Sequence, residues 1–230
     1  MSQTFANIPL EWVGPIQLVG PEVQALVEVP LATFEAPLWP STTRGAVLCN
    51  KAGGINVCIL DERMTRSVVV QTQGIVQAQT VYKALFQKKN DIAKIAESTS
   101  SHVTFLDMHI QVVGNLIYVR LEMKTNDASG HNMVTKASDA VLQWICKTFP
   151  ETSYVSISGN FCTDKKVSAV NGILGRGKLV VADVLIPRKL IERFLKTSPE
   201  AIVQLNIKKN LIGSIIAGSL RSANAHFANM

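Results

Sequence analysis

The chain has 230 residues, 47% of them hydrophobic and 17% charged, and its formal net charge is +6. A chain of this length has room for one large or two small hydrophobic cores. No apolar run reaches the roughly 18–20 residues that cross a bilayer, and no basic head followed by an apolar stretch opens the chain. These features exclude a membrane-spanning class and predict a cytoplasmic protein with no membrane partner.

The cysteines and the basic residues are scattered along the chain. Cys49, Cys58, Cys146 and Cys162 show no paired spacing, so we predict reduced thiols and no metal site. The positive charge favours anionic partners such as nucleotides or CoA. Aromatic residues make up only 6% of the chain and form no stacking platform, so nucleic-acid binding is a weak alternative and is not predicted.

The first third of the chain is rich in proline, with six prolines before residue 41. Proline removes a backbone donor and breaks helices internally, so we expect loops and no long helix before Ser41. A short helix is predicted over residues 46–56, ending at Gly53-Gly54. Pro37 and Pro40 are expected to interrupt any helix that begins near them.

The middle of the chain differs from the first third, because its apolar residues recur with clear helix or strand periodicity. Gly114-Asn115 joins two alternating runs, which is a hairpin signal. The predicted elements are a strand over 67–71, helices over 76–87 and 92–97, strands over 103–112 and 116–123, a helix over 130–149 and a strand over 154–158. This order is typical of a ferredoxin-like split βαβ unit.

The last segment has longer elements, which makes the whole chain α+β. Pro187 is expected to open one helix, and Ser198, followed by Pro199, to cap another. The predicted elements are a helix over 165–174, a strand over 178–186, helices over 188–195 and from 199, and a Gly/Ala/Ser-rich helix over 212–220.

One short segment stands out for its chemistry, Ser158-Gly-Asn-Phe-Cys-Thr-Asp-Lys-Lys166. Two adjacent ammonium groups repel each other, so a fold that turns both inward needs an anionic or electron-rich partner. Asp164 supplies one counter-charge, and a ligand carboxylate, phosphate or polarised carbonyl supplies the rest. A solvated charged turn is the alternative. Apolar residues on both sides of the segment favour the first interpretation.

These residues, with others along the chain, resemble the catalytic domain of hydroxymethylglutaryl-CoA reductase, and the paired lysines resemble its eukaryotic-type class. The resemblance continues at Gly175-Arg-Gly-Lys178, Lys209-Asn-Leu211 and Asn224-Ala-His226, and appears earlier at Met64-Thr-Arg66. It implies a large CoA-substrate-binding domain interrupted by a ferredoxin-like small domain that binds the dinucleotide. The implied boundaries are 1–66 for the first part of the large domain, 67–156 for the small NADP-binding domain and 157–230 for the second part.

The resemblance also implies an activity, the reduction of HMG-CoA to mevalonate and CoA with two NADPH as co-substrate. Lys165 matches the catalytic lysine, whose ammonium group stabilises the oxyanion that each hydride transfer creates. Glu35 matches the acid that protonates the aldehyde oxygen, a role that calls for a buried setting. The residues that match substrate contacts are Arg66, Ser158, Asp164, Lys166, Lys209, His226 and Asn229.

The dinucleotide contacts implied by the resemblance lie before and within the helix predicted from residue 130. Asp127, Ala128, Gly130 and Asn132 match the family's Asp-Ala-x-Gly-x-Asn segment, and Ser100 matches a further cofactor contact. Gly130 is expected to open a helix whose first amides face an anion. No Gly-x-Gly-x-x-Gly is present, so an ordinary Rossmann site is not predicted.

Several positions depart from the family pattern. Ser101 stands where an arginine contacts the NADPH 2′-phosphate, and Phe34 and Ala36 flank Glu35 in place of the family's residues. The chain stops at Met230, before the family's catalytic aspartate and thiolate-protonating histidine. We therefore expect a C-terminally truncated reductase that works as a homodimer or with a complementing C-terminal polypeptide. The alternative is an inactive homologue that keeps CoA or dinucleotide binding or acts as an interaction protein.

Overall fold

The computed structural model describes residues 4–220 and 222–223. The chain divides into two compact units, one formed by residues 1–60 with 180–230 and the other by residues 61–179. Both units mix helices and strands, so the α+β class is confirmed. The middle unit extends beyond the segment 67–156 on both sides, and those functional boundaries stay a prediction.

In chain order, the elements are β1 Leu10–Val19, β2 Gln24–Ala32, α1 Leu38–Lys51, β3 Ile55–Gln71, α2 Ile75–Gln87, α3 Lys89–Glu97, β4 Thr104–Val113, β5 Leu116–Lys124, α4 His131–Thr148, β6 Ser153–Ser156, α5 Ala169–Leu174, β7 Gly177–Asp183, α6 Arg188–Leu195, α7 Pro199–Leu205, a π-helical segment Asn206–Ile212, and α8 Gly213–Ile216. Strands β3 and β7 pass from one unit into the other. Within these residues, no helix combines the length and apolar character that a bilayer span needs.

The unit 61–179 is built on a sheet with the strand order β6-β3-β5-β4, in which all neighbours are antiparallel. Strands β4 and β5 form the hairpin expected at Gly114-Asn115, and Gly114 has a φ of 59°. The order of elements agrees with the one predicted from the sequence, with the first helix divided into α2 and α3. The assignment of this unit to the ferredoxin-like class stays a prediction.

The main hydrophobic core lies in this unit, between one face of the sheet and helices α2, α3 and α4. Strand β5 alternates, so Ile117, Val119, Leu121 and Met123 all point into the core and are fully buried. Burying an aliphatic side chain of this size contributes roughly 1.5–3 kcal/mol. A core of this extent fixes β5, and with it the polar residues that alternate on the opposite face.

The unit that contains the N-terminal segment begins with two antiparallel strands where loops were expected. Strand β1 pairs with β2 along its length and with β3 in parallel at Leu18 and Ile55. The prolines do not prevent this pairing, because Pro30 lies on the edge strand β2 and Pro15 lies where the register shifts. The expectation of a loop-rich start was therefore wrong.

Helix α1 also corrects a prediction. It begins at Leu38, with Pro37 at the N-cap and Pro40 within the first turn. Prolines are tolerated there because the first amides of a helix have no intrahelical acceptor. The helix therefore starts eight residues before the predicted Ala46, and the prolines do not interrupt it.

The elements after Ser158 are partly as predicted. Helix α5 begins at Ala169 and not at residue 165, because Ser168 caps it by accepting a hydrogen bond from the Asn171 amide at 3.1 Å. Lys165 and Lys166 consequently lie in a loop. Ser198 caps α7 as expected, accepting from the Ala201 amide at 3.2 Å.

Candidate active site

The segment from Ser158 to Ser168 is a loop with unusual backbone geometry. Three of its non-glycine residues have positive φ, with values of 61° at Asn160, 53° at Thr163 and 50° at Asp164. Each such residue costs on the order of 1–3 kcal/mol and persists only where the surrounding structure determines it. Strain of this kind clusters at functional sites, so the loop that carries the paired lysines is the strongest candidate site in the unit 61–179.

The start of this loop is tied to the sheet. The Gly159 amide donates to the Ser67 carbonyl at 2.7 Å. A Cβ on Gly159 would approach the Tyr118 ring to 3.0 Å and the Val69 Cβ to 3.2 Å, so glycine is needed for the close approach. Further along, the Thr65 hydroxyl donates to the carbonyl of the buried Cys162 at 3.5 Å. Cys162 is a free, buried cysteine that packs beneath the loop.

The end of the loop is tied to helix α5. The Asn171 side-chain amide donates to the carbonyls of Lys166 at 3.0 Å and Asp164 at 3.4 Å. The Ser168 hydroxyl, besides capping α5, donates to the Thr163 hydroxyl at 3.1 Å. Hydrogen bonds from the side chains of Asn171 and Ser168 therefore hold the residues around the two lysines in place, where a regular helix or strand would use backbone hydrogen bonds.

Asp164 forms an ion pair with Arg176, whose Nη2 lies 3.2 Å from the carboxylate. The Arg176 side chain is only 8% exposed, whereas that of Asp164 is 45% exposed. Partial desolvation works in the opposite direction, yet the charges of Arg176 and Lys165 hold the pKa of Asp164 below its usual range. The carboxylate expected to balance the lysines is therefore also committed to an arginine that sequence reasoning gave no role.

Lys165 and Lys166 are both exposed in the part of the chain that the structure describes. We predicted that both ammonium groups point into a cavity, and the described residues of this unit do not enclose them. Their backbone is nevertheless fixed, since the Lys166 amide donates to the Thr163 carbonyl at 3.2 Å. The loop thus presents two adjacent cations from a rigid base.

Arg66 links the lysine loop to helix α4. Its Nε donates to the Thr135 hydroxyl at 3.1 Å, and its Nη1 donates to the Ser158 hydroxyl at 3.2 Å. The Thr135 hydroxyl in turn donates to the His131 carbonyl at 2.7 Å. Two segments that the sequence assigned to different ligands, Ser158 to the substrate and the start of α4 to the dinucleotide, are therefore joined by one guanidinium group.

The start of α4 has the features expected for an anion site. Gly130 is the N-cap, with a φ of 74° and no side-chain cap, so the first amides of the helix, which have no intrahelical acceptor, receive none from the N-cap residue either. A Cβ on Gly130 would lie 2.3 Å from the Thr125 hydroxyl oxygen, so only glycine fits there. That hydroxyl donates to the Ala128 carbonyl at 3.0 Å and shapes the turn.

The remaining cofactor candidates lie at the surface. Asp127, Ala128 and Asn132 are exposed, and Ser100 is half-buried, accepting a hydrogen bond from the His102 amide at 3.2 Å. A free helix start beside exposed polar groups suits a dinucleotide phosphate. The residues present therefore fit the NADPH that the sequence predicts.

His131 is the first residue of α4, and sequence reasoning gave it no role. Its Nε2 is buried without a hydrogen-bond partner. Burial, followed by the charges of Arg176 and Lys165, lowers the pKa of His131. This electrostatic influence agrees with the Arg66 link in placing the start of α4 beside the lysine loop. Among the described residues, no group of three His, Cys, Asp or Glu side chains is arranged to hold a metal ion.

The other candidates belong to the unit formed by residues 1–60 and 180–230. Glu35 is exposed in the loop between β2 and α1, where its amide donates to the Thr33 hydroxyl at 2.9 Å. The burial expected of a proton donor is not found among the described residues. Lys209 is exposed within the π-helical segment, a geometry that is rare and frequent at functional sites. His226 and Asn229 lie outside the described residues.

Sequence reasoning missed a buried ion pair on the polar face of β5. Arg120 and Glu122 are both fully buried and paired with each other. Burial, then the neighbouring charge of Arg63, lowers the pKa of Arg120 to about 10. The only sequence signal was an Arg-x-Glu spacing within an alternating strand, which is usual for a solvated sheet face.

Solved structures share this fold. The chain matches the class II 3-hydroxy-3-methylglutaryl-CoA reductase from Streptococcus pneumoniae, solved bound to NADPH in open conformations, with a TM-score of 0.65 over 94% of this chain and 54% of that one. A second structure of the reductase from the same organism matches with a TM-score of 0.64. Sequence identity is 17% in both cases, so these matches establish the fold alone.

The sequence comparisons go further. A family model for hydroxymethylglutaryl-coenzyme A reductase matches residues 3–230. The chain is 41% identical over 225 residues to the reductase of Pyrococcus abyssi, covering 97% of this chain and 55% of that protein. It is 40% identical over 228 residues to reductase 2 of Dictyostelium discoideum, covering 98% of this chain and 43% of that protein. The chain belongs to the hydroxymethylglutaryl-CoA reductase family, and it spans about half the length of the curated relatives it matches.

Proposed function

We propose that this chain takes part in the NADPH-dependent reduction of HMG-CoA to mevalonate and CoA. The observation that carries the proposal is the Arg66 link, which joins Ser158 of the lysine loop to the start of α4. A reductase must hold its acyl substrate and its dinucleotide side by side, and these two segments match the respective binding sites of the family. Family membership at about 40% identity supports the same conclusion.

Lys165 is proposed to stabilise the oxygen that becomes negative at each reduction step. The strained loop and its hydrogen bonds to α5 fix the backbone beneath the ammonium group, so little reorganisation is needed when charge develops. Lys166 and Arg66 are proposed to bind the carboxylate of the hydroxymethylglutaryl group, with Ser158 donating a hydrogen bond. Asp164, already paired with Arg176, positions the two lysines.

The match to the family also suggests roles for residues of the other unit, and we propose them here. Glu35 protonates the oxygen of the aldehyde formed after the carbon–sulfur bond breaks, so that the second reduction yields an alcohol. Lys209 is proposed to bind the acyl group, and His226 and Asn229 are proposed to support substrate binding. NADPH, when bound, would supply one hydride at each of the two reduction steps, so two NADPH are consumed. Asp127, Ala128, Gly130, Asn132 and Ser100 are proposed to hold it at the start of α4.

The partner of this chain is also part of the proposal. Large apolar side chains are exposed along α7, the π-helical segment and α8, including Leu205, Leu211 and Ile215. An apolar surface of this kind is typical of a protein interface. We propose that a second copy of the chain, or a complementing polypeptide, covers it. A cytoplasmic location is proposed with it, since HMG-CoA and NADPH are soluble.

The test measures NADPH oxidation, seen as loss of its absorbance, with HMG-CoA present and with or without a complementing C-terminal polypeptide from a relative. In the mixture that turns over, Lys165→Met is expected to lower kcat by roughly 10²–10³ because one stabilising charge is removed from the oxyanion. Lys147→Met removes the same charge from the last turn of α4, roughly 25 Å along the helix from Gly130, and should leave kcat unchanged.

Calorimetric titration separates this function from the inactive-homologue alternative. Binding of HMG-CoA or NADPH without NADPH oxidation in any mixture would favour a homologue that has kept ligand binding alone. The exposed Glu35 is the observation that favours this alternative. Binding of neither ligand would refute the proposed function.

A further inference from the structure

A fully buried ion pair on the polar face of β5 has no role in the chemistry described above. Arg120 and Glu122 have side-chain exposures of 0% and point to the same side of the sheet. Desolvating two charges opposes folding, and packing alone would be served equally well by apolar residues. The pair therefore needs an explanation in what Arg120 contacts.

Arg120 reaches the turn that follows the lysine loop and α5. Its Nη2 donates to the Gly175 carbonyl at 2.7 Å. Gly175 ends α5 with a φ of 87°, and a Cβ there would lie 3.0 Å from Asp61. The carbonyl direction at this glycine is therefore set by the guanidinium group, since the backbone of a glycine has little preference of its own.

The residue after this glycine is Arg176, which pairs with Asp164. The Arg176 side chain is 8% exposed and its Nη2 lies 3.2 Å from the carboxylate. A buried guanidinium group has little freedom, so the direction in which it leaves the backbone decides whether it meets Asp164. That direction depends on the peptide unit that Arg120 holds.

Arg120 is itself held from the other side. Besides its ion pair with Arg120, Glu122 accepts a hydrogen bond from Arg63 Nη1 at 2.5 Å and lies 3.3 Å from His109 Nε2. Arg63 is in turn bonded to both carboxylate oxygens of Asp61, at 2.6 and 2.9 Å. Glu122 is thus a fixed anchor, and Arg120 spans the distance between this anchor and the Gly175 carbonyl.

We propose that Arg120 is a positioning residue for Asp164: anchored by Glu122, it fixes the Gly175 peptide and thereby directs Arg176 onto the Asp164 carboxylate. The inference rests on the proposed function, in which Asp164 positions Lys165 and Lys166 for the substrate. It extends that function by adding Arg120 and Glu122, two buried residues of β5, to the groups that determine the geometry of the lysine loop.

The test follows the Asp164 carboxyl itself, by carbon NMR of aspartate-labelled full-length chain during an acid titration, with Asp164→Asn to assign the signal. In the parent chain, the groups acting on Asp164 are Arg176, Lys165 and His131, and its pKa is expected below the ordinary value. Arg176→Gln and Arg120→Met should both move this pKa up towards the ordinary value for aspartate, about 3.9.

Arg120→Met leaves Glu122 with Arg63 and, once it is protonated in acid, His109 as its charged partners, and it is the variant at risk of unfolding. Arg120→Met/Glu122→Gln removes both charges with little change in volume and provides the second test. Lys89→Met/Asp107→Asn is the control, because it removes a half-buried ion pair of 2.6 Å in the same unit. It should leave the titration of Asp164 as in the parent chain. An unchanged Asp164 pKa in a folded Arg120 variant would overturn the proposal, as would an unchanged pKa in Arg176→Gln.

Binding of HMG-CoA gives the second readout. The Arg120 variants and Arg176→Gln are expected to raise its Kd by a similar factor of about ten, equivalent to 1.4 kcal/mol, whereas the Lys89/Asp107 control should not. If the parent chain binds no HMG-CoA, the proposed function fails while the Asp164 titration still decides whether Arg120 positions the loop. Raised Kd values with an unchanged Asp164 pKa would overturn the positioning route.

Discussion

The two units of this chain differ in how completely each buries its apolar residues. The unit 61–179 closes one face of its sheet with three helices around a core that includes Leu85, Leu121 and Ile145, all fully buried. In the described residues of the other unit, the buried apolar cluster is Val13, Leu31 and Leu38, packed against the partly buried Trp39. The unit 61–179 has the core of an independently stable domain, whereas the described residues of the other unit form a much smaller buried cluster.

The contrast is sharpest in the segment from α7 to α8. Ile215 and Ile216 are 76% and 81% exposed, although isoleucine is among the residues most often buried in proteins. Leaving such a side chain in water forfeits roughly 1.5–3 kcal/mol of transfer free energy. Apolar content alone therefore does not make a core, because burial also needs a second layer to pack against. We infer that this segment is completed by a partner surface.

The largest expected effect tests this contrast with matched truncations. Leu142→Ala, in α4, opens a cavity in the core of the unit 61–179 and should lower its free energy of unfolding by about 3 kcal/mol. Ile216→Ala, in α8, should change stability by less than about 0.5 kcal/mol because the side chain has little to lose. Urea unfolding of the full chain measures both.

The three tryptophans let the two units be followed separately. Trp144 lies in α4 of the unit 61–179, whereas Trp12 and Trp39 lie in the other unit. A Trp12→Phe/Trp39→Phe background therefore reports the first unit, and a Trp144→Phe background reports the second. A cost near 3 kcal/mol for Ile216→Ala would mean that α8 is already covered in solution, and the contrast between the units would not hold.

A second and smaller effect compares two glycines. Gly130→Ala forces a Cβ against Thr125 at positive φ and should destabilise the unit 61–179 by about 2 kcal/mol. Gly45→Ala, inside α1 of the other unit, meets nothing within 4 Å and should stabilise it by roughly 0.5–1 kcal/mol. Thermal and urea unfolding measure whether the two substitutions change the free energy of unfolding in opposite directions. A loss of stability in Gly45→Ala would show that α1 is packed against a partner.

The sequence predicted the unit 61–179 much better than the rest. Helix α4 was expected over 130–149 and is found over His131–Thr148, and the β4–β5 hairpin turns at the expected Gly114-Asn115. These elements have strong periodicity because one face of each meets a large core. In the other unit, β1 and β2 were missed. Their prolines indicate loops unless one knows that β2 is an edge strand, where proline is tolerated.

The residues of the candidate site were also predicted only in part. Arg66, Ser158, Asp164 and Lys165 were singled out from motif residues that follow one another along the chain. Arg120 was not, because its role depends on a contact with Gly175, 55 residues away. A polar residue in an alternating strand is expected to face solvent, and only the fold reveals that both faces of β5 are buried.

The smallest expected effect compares two helix caps of the same type, one in each unit. Ser198 caps α7 by accepting a hydrogen bond from the Ala201 amide, and its hydroxyl also contacts the exposed Glu200 carboxylate, so Ser198→Ala should cost about 1 kcal/mol. Ser168 caps α5 in the same way and also donates to the Thr163 hydroxyl within the strained loop, so Ser168→Ala should cost about 1 kcal/mol more. Urea unfolding in the two single-unit fluorescence backgrounds measures the difference. Equal costs would mean that the Thr163 contact adds nothing, and that the loop is held by Asn171 and the backbone alone.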